Sequence, residues 1–209
     1  MKVGCCGFRV GMARYFQALK VVELNSTFYR YPDPRLVEKW REAAPDTFEF
    51  TVKAHQDITH RLRLETGKEC LDALERMKQA CSILRSTVML IQTPASFTPT
   101  EENLSRATEF FRGADRGDLA MVWETRGGSW NTPVVRKRLA SLLKEVDVSH
   151  VTDPLLIDPA HTTPRIAYLR LHGLGERMYY YQFTDRELQR ILAKAKEIGK
   201  ASENTYVLF

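Results

Sequence analysis

The sequence predicts a (β/α)₈ barrel of the TIM type spanning residues 1–209, and three observations carry that prediction. Short apolar runs alternate with longer amphipathic segments along the whole chain. Polar residues gather on one face of the strands, toward their C-terminal ends. The length of 209 residues lies near the low end of the roughly 200 to 400 that such barrels occupy.

The elements follow in order. Val3–Phe8 is a first apolar strand, with Ala13–Leu19 a helix behind it. In the second strand, Val21–Asn25, Val22 and Leu24 oppose Val21, Glu23 and Asn25. The helix Pro34–Ala44 leads to the strand Phe48–Ala54, where Phe48, Phe50, Val52 and Ala54 share one face and Glu49, Thr51 and Lys53 the other. After the helix Cys70–Leu84, the strand Thr87–Pro94 aligns Gln92 with Val88 and Leu90. Glu101–Gly113 places Leu104, Ala107, Thr108 and Phe111 at helical spacing. Leu119–Arg126 sets Val122, Glu124 and Arg126 on one face, and Thr132-Pro133 starts the helix Thr132–Glu145. Val148–Asp153 is the sixth strand. In the seventh, Ile166–Gly173, Ala167, Leu169 and Leu171 oppose Tyr168, Arg170 and His172. Asp185–Gly199 is a helix with Thr184 or Asp185 at its start and Gly199 at its stop. The last strand, Asn204–Phe209, ends the sequence, so either the eighth helix is missing or the sequence stops short of it; its absence would leave apolar sheet for another element or a partner subunit to cover.

Strands separated by helices imply right-handed crossovers and a parallel sheet, and an unbroken alternation of eight suits a closed barrel better than an open sheet. No linker, repeat or low-complexity tail divides the chain, so one domain is expected.

Composition narrows the class. With 44% hydrophobic and 27% charged residues the chain reads as globular, not disordered. No stretch approaches the ~18 apolar residues of a spanning helix, and Arg9 interrupts the first apolar run. The expectation is a cytoplasmic protein with no membrane partner. Cys5, Cys6, Cys70 and Cys81 form no ligand spacing and read as buried thiols, Cys5 and Cys6 pointing to opposite faces of their strand. A net charge of +5 admits anionic partners, although the excess is spread along the chain. Val134–Lys144, with Arg136, Lys137 and Arg138, is the densest basic stretch and reads as a solvated face.

Parallel strands buried on both sides ordinarily read as continuous apolar runs. Here Glu23, Asn25, Lys53, Gln92, Glu124, Arg126, Arg170 and His172 instead converge on the C-terminal mouth, where barrel enzymes place their active sites. The competing interpretation makes them interior ion pairs, Glu23 with Lys53 and Glu124 with Arg170. Glu23 and Glu124 are acid/base or metal-ligand candidates. A carboxylate-rich cation site would draw on Glu23, Glu124, Asp153 and His172, although no HxH or HExxH spacing supports a metal. Lys53 could form a Schiff base if desolvated, or pair with an anion. His172 precedes Gly173-Leu174-Gly175, whose backbone N–H groups could approach an anion or simply turn the chain. Tyr29, His60 and Trp130 would lie in mouth loops, stacking a ring beside Arg126, Lys53 and Arg9 or packing the loops together. The run Tyr179-Tyr180-Tyr181 is a similar case with less context.

Val22-Glu23-Leu24-Asn25-Ser26-Thr27-Phe28-Tyr29-Arg30, Phe50-Thr51-Val52-Lys53-Ala54 with Thr59-His60, Gln92-Thr93-Pro94, Trp123-Glu124-Thr125-Arg126 with Ser129-Trp130, and Arg170-Leu171-His172-Gly173 together resemble the YecE-like family, domain of unknown function 72. The resemblance covers the whole chain and suggests a short member of archaeal type. It implies a TIM-type barrel and no established activity. Its typical positions here are Glu23, Asn25, Thr27, Tyr29, Lys53, His60, Gln92, Glu124, Arg126, Trp130, Arg170 and His172. Phe8 stands where members often carry a Trp, and the paired asparagines and final helix that many have beyond the last strand do not occur here.

These readings give Glu23, Glu124, His172 and Lys53 as catalytic candidates. Asn25, Tyr29, His60, Gln92, Arg126, Trp130 and Arg170 are the substrate-binding candidates. The function expected is an enzyme, a hydrolase or isomerase, acting on a phosphorylated or nucleic-acid-derived anion by acid/base or metal-assisted chemistry. The alternative is a non-catalytic barrel that binds nucleic acid or protein. The cofactor question and the oligomeric state stay open.

Overall fold

All eight strands lie parallel in one sheet of order β6-β5-β4-β3-β2-β1-β8-β7. The computed structural model describes residues 1–175 and 181–209. The strands are β1 (Lys2–Cys6), β2 (Val21–Leu24), β3 (Glu49–Lys53), β4 (Val88–Gln92), β5 (Ala120–Glu124), β6 (Ser149–Val151), β7 (Ile166–Arg170) and β8 (Asn204–Leu208). The helices are α1 (Met12–Ala18), α2 (Ser26–Tyr29), α3 (Pro34–Ala43), α4 (Lys68–Leu84), α5 (Glu101–Gly113), α6 (Pro133–Glu145) and α7 (Asp185–Ile198).

The barrel closes weakly between β6 and β7. A single parallel bridge, Thr152 to Leu169, and the Arg170 N–H donating to the Thr152 carbonyl at 3.1 Å join them. The expected alternation fails at this seam, because residues 152–165 connect β6 to β7 without a helix. Pro154, Pro159 and Pro164 explain why: each lacks a donor and disfavours helical geometry in the residue before it.

Strand parity sorts the core as the sequence predicts. Val22, Leu24, Phe50, Val52, Met89, Ile91, Met121 and Trp123 face outward into one apolar layer with the helices. Helix α4 buries Cys70, Ala73, Leu74, Met77, Cys81 and Leu84, a stripe at three- and four-residue spacing. Helix α7, opened by a Thr184–Glu187 capping box, covers Leu169 and Val207 with Ile191 and Ala195. Val3, on the outer face of β1, is 39% exposed.

The interior is filled in storeys. At the floor, Glu49 accepts from Lys2 and from the Tyr206 hydroxyl, both at 2.7 Å. Val21, Val88, Val122 and Ile166 form part of one apolar cluster inside the barrel. Beside it Gly4 has no room for a side chain, because a Cβ there would stand 2.1 Å from the Val21 carbonyl oxygen. The uppermost storey is charged.

Candidate active site at the barrel mouth

Arg170, at the end of β7, organises the top of the barrel. Its Nη1 donates to Glu124 Oε2 at 2.5 Å, and its Nη2 donates to Glu23 Oε1 at 2.8 Å, with Cys6 Sγ 3.4 Å away. The Tyr168 hydroxyl donates to Glu23 Oε2 at 2.8 Å and lies 2.7 Å from Thr51 Oγ1. Both oxygens of Glu23 are therefore engaged, and the residue is completely buried. Charges this deep are tolerable only when paired and hydrogen-bonded. Burial alone would lower the Arg170 pKa, but Glu124 and Glu23 hold the guanidinium charged. Burial raises the Cys6 thiol to about 12, with Glu23 adding to the effect, so it is a poor nucleophile.

Glu124 links this closed network to the mouth. His172 Nε2–H donates to its Oε1 at 3.1 Å. Arg126 Nε stands 2.8 Å from the same oxygen but off the N–H axis, so that buried nitrogen has an ion pair without a hydrogen bond. Burial would raise the Glu124 carboxyl, but Arg170, His172 and Arg126 outweigh it and hold the group well below the usual carboxylate range. The His172 backbone N–H donates to Asp153 Oδ2 at 3.0 Å, and Asp153 Oδ1 accepts from Leu155 N–H at 2.9 Å. Gly173 takes φ +82°, and a Cβ there would meet Tyr181 at 2.3 Å.

Lys53 sits apart from this network. The Thr27 hydroxyl, on α2, lies between the carbonyl oxygens of Leu24 (2.8 Å) and Lys53 (2.7 Å), pinning the end of β3. Lys53 Nζ stands 4.1 Å over the Phe28 ring, which His60 and Tyr29 approach edge-on, each at 4.9 Å. The residue is 9% exposed and makes no ion pair with any described carboxylate. Burial first, then Arg170, lower its pKa to about 8. His60 donates to or accepts from Thr59 at 2.8 Å and is lowered by burial and by Lys53.

His172 lines two clefts. One, of about 240 Å³, is bordered by Glu124, Arg126, His150, Asp153 and His172. The other, of about 300 Å³, is bordered by Cys5, Arg9, His172, Tyr181, Phe183 and Phe209. A third cleft, of about 500 Å³, runs between α5 and α6, away from these groups.

The sequence-derived set thus divides. Arg170, Glu23, Glu124, His172 and Arg126 form one connected network, and Lys53, His60 and Tyr29 share the Phe28 ring. Asn25, just before α2, and Gln92, paired in register with Glu124, are half-buried at the same rim. Three expectations need correction. Glu23 is enclosed beneath Arg170 and out of a substrate's reach, and its partner is Arg170, not Lys53. Trp130 is 1% exposed, donates to the Phe97 carbonyl at 2.9 Å and packs on Trp123, so it is a core residue and not a mouth aromatic. The cation set Glu23, Glu124, Asp153 and His172 does not assemble: Arg170 bridges the two glutamates, and Asp153 caps its own loop. Among the described residues no group of three or more His, Cys, Asp or Glu side chains is placed to hold a metal. The basic stretch on α6 is the solvated face that the sequence predicts, with Lys137 and Arg138 exposed. Arg138 makes a two-pronged pair with Glu101 at 2.6 Å, and Arg136 donates to the Asp158 carbonyl at 2.7 Å. Of the tyrosine run, Tyr179 and Tyr180 lie outside the described residues, and Tyr181 donates to Glu187 at 2.5 Å.

Two residues at the mouth had no role in the sequence reading. Phe28 stood inside the quoted motif but carried no assignment. His150 falls by parity on the outer face of β6, yet it borders the 240 Å³ cleft. The Ala160 N–H donates to its Nδ1 at 3.1 Å, which leaves its proton on Nε2, 3.0 Å from Thr125 Oγ1. Burial and Arg136 lower its pKa to about 3, so the ring is neutral.

A TIM-type barrel with a charged storey closed by one arginine and a half-open cationic rim is the class this geometry defines. Residues 7–209 match the family described as protein of unknown function DUF72, and the chain belongs to that family. It is 24% identical over 229 aligned positions to UPF0759 protein YunF of Bacillus subtilis (strain 168), covering 93% of this chain and 78% of YunF. A DUF72 family protein of Enterococcus faecalis V583 has the same fold, with a TM-score of 0.84 at 23% identity over 100% of this chain and 89% of that one. A D-tagatose 3-epimerase-like protein superposes with a TM-score of 0.61 at 13% identity, covering 99% of this chain and 90% of that one. At these identities the two structures establish the fold.

Proposed function

We propose that this protein is an enzyme that binds a small phosphorylated or nucleotide-like anion at the barrel mouth and moves a proton by acid/base chemistry. The observation that supports this reading is Lys53: a buried ammonium with an aromatic face beneath it and no carboxylate paired with it among the described residues. An unpaired buried cation is costly, and a bound anion is what would compensate it. Arg126, only partly satisfied by Glu124, is the second cation for that anion. His172 carries the proton, and Glu124 is its positioning residue, fixing the ring through Nε2–H. The held-down carboxyl of Glu124 suits orienting an imidazole better than accepting protons itself.

The test is a panel of sugar phosphates and nucleotides set against their unphosphorylated parents in thermal unfolding. Saturating a site at a hundredfold its Kd adds roughly 2.7 kcal/mol to the folded state, readily seen as a rise in Tm. The expected result is stabilisation by at least one phosphate ester, absent for its neutral parent and lost in Lys53→Met. Indifference of the native protein to every ester, or an undiminished shift in Lys53→Met with Arg126→Gln, would overturn the reading.

A further inference from the structure

We propose that Lys53 is the nucleophilic amine of this barrel, forming an imine with the carbonyl carbon of a small aldehyde or ketone that also bears a phosphate. The proposal deepens the anion-binding reading and rests on it for the phosphate, which falls to Arg126 once the Lys53 amine is neutral and turned to the carbonyl; the imine chemistry can be tested separately.

The geometry withholds from Lys53 the partners that usually keep a lysine charged. Glu23 and Glu124 share its mouth, yet both carboxylates are drawn to Arg170, and neither reaches the ammonium. The charged and titratable groups around it work in both directions. Arg170 on β7, Arg126 beyond β5 and His60 in the turn after β3 disfavour the ammonium, while Glu23, Glu124 and the Phe28 face favour it. Burial decides the balance, and the resulting pKa near 8 gives a substantial neutral fraction at physiological pH. Among the described residues Nζ has no hydrogen-bond partner, and it keeps a narrow opening to solvent. The Thr27 hydroxyl holds the backbone beneath it and Phe28 its far end, so the amine is positioned before any substrate arrives. Cys6, the other nucleophile in the network, is disqualified by its pKa near 12 and its contact with Arg170.

The step balances without an oxidant or reductant. The neutral amine's lone pair forms a C–N bond with the carbonyl carbon, and the C=O π pair takes up a proton to become hydroxyl. Nitrogen then loses a proton, giving the neutral carbinolamine. Its hydroxyl gains a proton and leaves as water while the nitrogen lone pair forms the C=N bond. Amine, carbonyl and one proton thus become a protonated imine and water. Protonated, the imine draws electrons from a bond to the adjacent carbon, which places the reaction among aldol cleavages or carbonyl isomerisations.

The experiment treats the native protein with glyceraldehyde 3-phosphate and, separately, with glyceraldehyde, each with cyanoborohydride, and maps the alkylated lysines by peptide mass. Lys68, with a side chain 91% exposed, is the internal reference, so no variant need fold. Labelling of Lys53 should outpace Lys68 roughly tenfold or more at neutral pH, because far more of its amine is neutral. Its rate should climb through about pH 8 and level off above it. The phosphorylated aldehyde should react faster than the neutral one, and inorganic phosphate should slow it. Adducts confined to exposed lysines, with phosphate esters still stabilising the fold, would overturn the imine and leave the anion site standing. Equal labelling of Lys53 by both aldehydes, unaffected by phosphate, would support the imine and remove the anion reading.

Discussion

Two cations four strands apart around the same mouth have opposite surroundings, and the contrast separates architecture from chemistry. Arg170 is enclosed by Glu23, Glu124 and Tyr168, with its charge matched on both sides. Lys53 is nearly as buried but rests on the Phe28 ring, with no carboxylate paired to it among the described residues. A buried charge that is fully paired explains itself by holding strands together. One left unpaired calls for a ligand. The lesson is that a polar barrel interior is not one site but two storeys with different duties.

The sharpest way to break that comparison is Arg170→Met. Removing the shared partner of two buried carboxylates should cost about 3 to 5 kcal/mol, read as a lower midpoint in urea unfolding. A loss under about 1 kcal/mol would mean that the closed storey is not structural. Glu124→Gln should follow at about 2 to 3 kcal/mol at neutral pH, since it weakens bonds to charged groups without removing them. Its pH profile is the more telling readout. Because the fold holds the Glu124 carboxyl low, its stabilisation is complete above the ordinary carboxylate value of 4.5 and is lost as pH falls below it. The native protein should therefore lose stability through that acid range more steeply than the glutamine variant.

Lys53→Met should go the other way, gaining on the order of 2 kcal/mol at neutral pH by deleting an unpaired buried cation. Lysine in the unfolded chain keeps its proton up to about 10.5, while in the fold it loses it near 8. Between those values unfolding takes up a proton, so native stability rises with pH and the gap to the methionine variant narrows. A methionine variant less stable than the native protein at neutral pH would show that Lys53 has a partner after all.

The sequence made the faces legible and the heights not. Period-two alternation put Glu23, Lys53, Glu124, Arg170 and His172 on the inner face, and every one of them lies there. Parity says nothing of depth, because depth depends on register between neighbouring strands. Glu23 pairs with Thr51 across β2 and β3, one storey below Lys53, and so is sealed under Arg170. Register is set by the closed sheet as a whole, which no single strand encodes. Trp130 misled for a different reason. Its loop position suggested exposure, yet the short 3₁₀ turn Gly128–Asn131 folds the indole under Trp123. The π-helical turn Asp57–Arg61, which carries His60, left no periodic signal because a single turn is too short to show one.

The smallest expected effect tests whether the contrast belongs to the mouth at all. Arg138 is the most basic-looking feature of the linear sequence, yet its charge is already matched by Glu101 on the exposed flank between α5 and α6. Exposed pairs of this kind contribute little and are screened by salt. Arg138→Gln should therefore leave the midpoint of unfolding unchanged within error, and the stabilisation by phosphate esters likewise. If ester or nucleic-acid binding instead fell away in this variant, with a steep dependence on salt, the anion would be held by the outer surface. Lys53 would then be a buried charge without a ligand, and only the structural duty of the Arg170 storey would stand.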